Sequence, residues 1–279
     1  MRKAIPEGLL ILLIASATAL AHAEDMGLEW QILRQESSRL SWEKDKHSSA
    51  LILARDLLEL AEERLGPDHR EIANCLTDIA GIYQQMERRE EALALQKRAG
   101  EVYQRSLAMQ EKALGKDHPE VAKTLIDMGI NYHRYEDRDK AESLFTRALE
   151  IQEKALGENH PEVANTLDLI ADYRNDTSEV EPLLERSLEI RKNAFGPTDP
   201  AVAISLDRLG ELRKSQDRYL ESEQLFKRSL EIRKAAYSSH DPTVAYSLEY
   251  LAWLYHDMGR KEEAAALKER AESMLKDTE

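Results

Sequence analysis

Residues 114–125 read "LGKDHPEVAKTL" and residues 156–167 read "LGENHPEVANTL", 42 positions apart. Repetition of a histidine among acids admits two readings: paired metal or catalytic centres, or the joint of a repeated structural unit. The rest of the chain decides between them. The same dozen recurs more loosely as "LGPDHREIANCL" from Leu65, "FGPTDPAVAISL" from Phe195 and "YSSHDPTVAYSL" from Tyr237. The second residue of each falls at Gly66, Gly115, Gly157, Gly196 and Ser238, at spacings of 49, 42, 39 and 42. Self-similarity at such a period marks a stack of supersecondary units. Two zinc ligands, each bonding at about 2.1 Å, must lie within about 4 Å of each other. One histidine per joint, each about a repeat from the next, cannot meet that condition. His69, His118 and His160 are therefore read as parts of the joint.

Each joint reads as a helix end followed by a helix start. The glycine is expected to close one helix in a left-handed conformation. Asp117 and Glu120 are spaced for a capping box, and Pro119 suits a first helical turn. Two apolar-periodic helices follow, for example 120–133 and 140–155, the first burying Val121, Leu125 and Met128. No stretch alternates as a strand would. The 49-residue spacing carries seven extra residues around "ALALQKRAGEVYQRSLAM". Seven residues are nearly two turns, a drift of only about 20°, so a longer helix can absorb them. The 39-residue spacing lacks three, a rotation of about 60° from phase, and the polar segment 174–179, "RNDTSE", is expected to take that loss as a loop.

The chain begins with a short basic start (Arg2, Lys3), an apolar run from Leu9 to Leu20 and the small-x-small signal Ala21-His22-Ala23. That is the layout of a secretory signal peptide over residues 1–23, with cleavage expected after Ala23; retention as an N-terminal anchor is the alternative. The run falls short of the roughly 20 residues of a comfortable membrane span. A periplasmic or secreted protein, with no membrane insertion after cleavage, is expected. The net charge is −14, from 53 acidic and 39 basic residues. Such an acidic surface excludes nucleic acid as a general partner. Cys75 is the only cysteine, so no intramolecular disulfide can form. There is no HExxH, paired CxxC, P-loop or G-x-S-x-G elbow. No catalytic, cofactor-binding or metal-ligating residue is assigned, and no cofactor is implied.

Leu125, Gly129, Tyr132, Ala141, Phe145 and Ala148 follow one another at intervals of 4, 3, 9, 4 and 3. That pattern resembles the tetratricopeptide repeat, and the 42-residue period with its "LG-x-D/N-HPEVA" joint is similar to the kinesin light chain type. Other units match in part, through Leu76, Ala80, Tyr83 and Ala92, through Leu206, Gly210, Ser222, Phe226 and Ser229, and through Leu248, Ala252, Tyr255, Ala264 and Ala271. Arg174 stands where the third unit should carry tyrosine. The resemblance covers roughly residues 50–275. It implies an all-α, right-handed solenoid of antiparallel helix pairs, with repeats at 67–115, 116–157, 158–196, 197–238 and 239–279. A degenerate pair at 24–66 precedes them, its first helix formed by Leu28, Trp30, Leu33, Leu40 and Trp42.

The resemblance also implies that the first helix of each pair lines a concave groove. The positions carried over are Asn74, Thr77 and Gln84 in the first unit and Lys123, Ile126, Ile130, His133 and Arg134 in the second. Asn165, Asp168 and Asp172 follow in the third, and Ile204, Asp207, Glu211 and Lys214 in the fourth. Tyr246, Glu249, Trp253, His256 and Asp257 complete the fifth. The last three units place six acids there against one lysine, suiting a basic or amine-bearing segment with Tyr246 and Trp253 as apolar and cation–π contacts. The expected function is a non-catalytic, monomeric scaffold or adaptor that binds a peptide or protein segment. Two alternatives are a structural protein self-assembling through its end repeats and an accessory subunit of an envelope enzyme. The polar last helix, with Lys268 at the aromatic position, favours a closed array over self-assembly.

Overall fold

The computed structural model describes residues 25–41, 43, 46–133, 137–174, 177–238 and 241–276. The expected signal peptide, its cleavage site, Trp42 and Arg134 lie outside them. The described residues form twelve α-helices and no strand: α1 Asp25–Ser41, α2 His47–Leu65, α3 Arg70–Gln85, α4 Arg89–Leu114, α5 Pro119–His133, α6 Arg138–Leu156, α7 Pro161–Tyr173, α8 Thr177–Phe195, α9 Pro200–Ser215, α10 Tyr219–Ala236, α11 Pro242–Asp257 and α12 Lys261–Lys276. Consecutive helices pack as pairs, the arrangement of a tetratricopeptide-type solenoid. The chain divides into two compact units, Met1–Met109 and Gln110–Glu279, and the division falls within α4.

The joints explain the repeated dozen. Gly66, Gly115, Gly157 and Gly196 all have φ between +84° and +93°. At Gly66 and Gly157, ψ is 159° and 150°, so these residues are not in the left-handed helical region expected of them. Positive φ with extended ψ is a region essentially reserved for glycine. The next helix then starts on a side-chain cap. The backbone N–H groups of Glu71, Glu120 and Glu162 donate to Nδ1 of His69, His118 and His160 at 3.2, 3.2 and 3.3 Å. At the last two joints Asp199 and Asp241 accept from Ala201 and Thr243, each at 2.8 Å. The expected capping box at Asp117 is corrected: His118 holds the cap, and Asp117 pairs with Lys154 on α6.

Between the helices of a pair, small residues meet aromatic rings. A Cβ on Gly129 or Gly210 would lie 2.6 Å from the ring of Phe145 or Phe226. Each ring also reaches the first helix of the next pair, Phe145 lying 5.0 Å from Tyr173 and Phe226 stacked on Tyr250 at 5.3 Å. The extra seven residues do lengthen a helix, α4 having 26 residues against 19 in α6. The missing three are placed differently from the expected loop. α7 closes after 13 residues and α8 already begins at Thr177, inside the segment read as loop. Arg174 leaves the core to pair with Glu142 and Glu179, while its neighbour Tyr173 is buried against Phe145.

Candidate functional site

In the first unit the expected groove positions divide. Asn74 and Thr77 are buried. Asn74 accepts from the Tyr103 hydroxyl at 2.6 Å, and Thr77 donates to the Ala73 carbonyl at 2.9 Å. Gln84 is exposed. In the second unit, Lys123 is exposed and pairs with Glu120 at 2.6 Å. Ile126 and Ile130 are half-buried against Phe145, Ile170 and Tyr173. The His133 side chain, like Arg134, lies outside the described residues.

The acids expected on an open wall are mostly neutralised from within. Asp168 on α7 and Asp207 on α9 are only 3% and 5% exposed. Arg191 of α8 holds Asp168 at 2.8 Å, and Arg233 of α10 holds Asp207 at 2.6 Å. Each arginine also joins three helices, since Arg191 donates to Ser187 and Ser205, and Arg233 to Ser229 and Ser247. Asn165, exposed beside Asp168, accepts from Arg191 at 2.7 Å. Asp172 is held by Arg208, and Asp257 by Lys214 at 3.0 Å, with His256 at 3.5 Å. The Lys214 contact holds the Asp257 carboxyl below its ordinary value. Of the six acids, only Glu211 and Glu249 have no ion pair among the described residues.

What remains open is apolar and aromatic. Ile204, Tyr246 and Trp253 are 47%, 53% and 56% exposed. Ile204, Tyr246, Asp172, Asp207 and Glu211 line a hollow of about 420 Å³ between α9 and α11, together with Arg208, Arg233, Thr243 and Tyr250. Burial pushes the Asp207 carboxyl up, against the pull of Arg233. It also raises Glu211, against Arg208, and Tyr250, helped by Glu211 and Asp207. Glu249, Trp253 and His256 belong to a second hollow, about 590 Å³, between α11 and α12. The second hollow sets a few charges on a mainly apolar wall, whereas the first is lined largely by charged side chains. Among the described residues no group of three or more His, Cys, Asp or Glu is placed to hold a metal ion. None of their helices is long and apolar enough to cross a membrane.

The residues missed from the sequence are the arginines, and their signal was present. "LEIRK" occurs at 188–192 and again at 230–234, where the second unit has "LEIQEK" with Gln152. Gln152 takes the Thr166 hydroxyl at 2.6 Å, and the first-helix position 42 residues before Asp168 is Ile126 rather than aspartate. Arginine thus appears in the second helix where the first helix carries aspartate.

The sequence profile of the tetratricopeptide repeat matches five overlapping segments, 39–103, 98–154, 136–193, 174–235 and 207–277. No curated protein matches the chain. Among solved structures, BtubC (BKLC) from P. vanneervenii is similar over 89% of this chain and 92% of its own, at 20% identity and a TM-score of 0.62. A putative kinesin light chain from Podosopora anserina with nearly identical TPR-like repeats aligns over 76% and 99%, at 21% identity and a TM-score of 0.59. Aspartyl phosphate phosphatase F from Bacillus subtilis aligns over 81% and 56%, at 14% identity and a TM-score of 0.55. At these identities the likeness is one of fold.

Proposed function

We propose that this chain, which belongs to the tetratricopeptide repeat family, is a non-catalytic adaptor holding a protein or peptide segment against its first helices. The observation that carries this reading is the set of exposed apolar and aromatic side chains on the first helices, Ile204 and Tyr246 at the α9–α11 hollow and Trp253 at the α11–α12 hollow. A solvated helix face has no need of three such side chains together, whereas a docking surface does. Arrays of this kind present extended binding surfaces without chemistry of their own. Because four of the six wall acids are already paired, recognition is expected to rest on these apolar anchors, with Glu211 and Glu249 as the open charges for a basic segment.

The apolar N-terminal run and its small-x-small signal support export, with the adaptor working in the periplasm or outside the cell. Affinity capture from the native host's envelope tests the adaptor reading. A partner retained by the parent chain and by Gln224→Ala on α10, but lost on Trp253→Ala and Tyr246→Ala, is the expected result. Equal retention by all variants would place the partner elsewhere and overturn it.

A further inference from the structure

The first helices of the last three pairs are fastened differently at the back and at the front. At the back, α9 packs on α8 and α10. Leu184 and Leu188 of α8 share a core with Ala171 of α7 and Val202 of α9, and Phe226 of α10 lies against Gly210 of α9 and stacks on Tyr250 of α11. The Arg191 and Arg233 pairs belong to the same buried layer. At the front, the hollow of about 420 Å³ separates α9 from α11, and the links across the open side are ionic. Both start from α9: Arg208 reaches back to Asp172 on α7 at 2.5 Å, and Lys214 reaches forward to Asp257 on α11 at 3.0 Å. All four side chains are between 30% and 49% exposed. A packed layer behind and solvated charges in front make a hinge and a tether. Bending the array would part α7, α9 and α11 along the open side while the rings stay in contact. Exposed ion pairs are weak and screened by salt, so they are the links that yield.

We propose that Arg208 and Lys214 form a two-way ionic tether that sets the spacing of α7, α9 and α11, and with it the width of the partner-binding face. Salt releases the tether, and so does a basic segment that takes up Asp172 and Asp257. The face is then narrow when empty and widens as a charged segment enters. The inference rests on the reading of the first-helix face as a partner surface for its purpose, but the spacing itself is measurable without a partner.

Small-angle X-ray scattering of the full chain tests it, at about 0.01 M and about 1 M sodium chloride, between which the screening length falls from about 30 Å to about 3 Å. At low salt, Arg208→Gln with Lys214→Gln should have a larger radius of gyration than the parent. Asp172→Asn with Asp257→Asn cuts the same pairs from the other end and changes the net charge in the opposite sense, and it should expand the chain as well. Arg208 also lies 3.7 Å from the buried Asp168, a contact that the second variant leaves in place. Both differences should shrink at high salt, where the parent's own pairs are screened. Arg228→Gln with Lys234→Gln on the exposed face of α10 removes two bases without touching the tether and should follow the parent. Circular dichroism should stay helical throughout. Radii equal to the parent's at low salt, or expansion in only one of the two tether variants, would overturn the tether while leaving the adaptor reading to the envelope capture. Equal expansion in the α10 variant would overturn it as well.

Discussion

At the scale of single residues, the recurrent histidines are helix caps. His118 accepts the Glu120 N–H through Nδ1, which requires that nitrogen to be unprotonated. Removing a side-chain cap costs about 1 kcal/mol, so His118→Ala should lower the unfolding free energy measured in urea by that amount. His118→Asp should not, because Asp199 and Asp241 cap the later helices in the same place. Gly157 separates backbone strain from crowding. A Cβ there meets nothing within 4 Å, but φ is +92°, so Gly157→Ala should cost about 1–3 kcal/mol through conformation alone. The existence of the joint was legible from its spacing. The capping residue was not, because Asp117 and Glu120 satisfy the capping-box spacing equally well and only the contact with Lys154 shows that Asp117 is engaged elsewhere.

Between elements, the arginines of α8 and α10 stitch one repeat to the next, and the chain contains its own control. Arg233→Gln would leave Asp207 buried without its counter-charge, which costs about 3–5 kcal/mol. Adding Asp207→Ile gives the residues that the second unit carries at the counterpart positions, Ile126 and Gln152, and should recover most of that loss in a double-mutant cycle of chemical unfolding. A second junction carries a pH dependence. Burial pushes the Glu223 carboxyl up, but hydrogen bonds from Lys227, Tyr255 and Arg260 outweigh it and hold the group at about 2. A carboxylate depressed in the folded state stabilises above its unfolded value of 4.5, and that contribution is lost as pH falls toward 2. The melting temperatures of the parent and Glu223→Gln should therefore differ at pH 7 and converge near pH 2. Helix pairing could be read from periodicity, since Gly129 with Phe145 and Gly210 with Phe226 follow the repeat pattern. The charge pattern misled, because the six acids were read without their bases. Arg191 and Arg233 belong to second helices, and only packing brings them beneath the first.

For the whole molecule, export and partner binding are the claims that matter. N-terminal sequencing of protein recovered from the native host's extracytoplasmic fraction should begin at Glu24, while a chain retaining Met1 in the membrane fraction would favour the anchored alternative. The partner is the harder quantity, because a repeat scaffold fixes where a segment can lie and not which segment it is. The wall itself was legible as a set of first-helix positions, yet Ile204, Tyr246 and Trp253 are the exposed ones among them, whereas Asp168 and Asp207 are buried. Site-specific photo-crosslinking in the native host tests this most directly, with the crosslinker at Tyr246 on α11 or at Gln224 on the exposed face of α10. The account predicts an adduct with a partner protein at Tyr246 and none at Gln224. Adducts only between copies of this chain, or none at Tyr246, would contradict it.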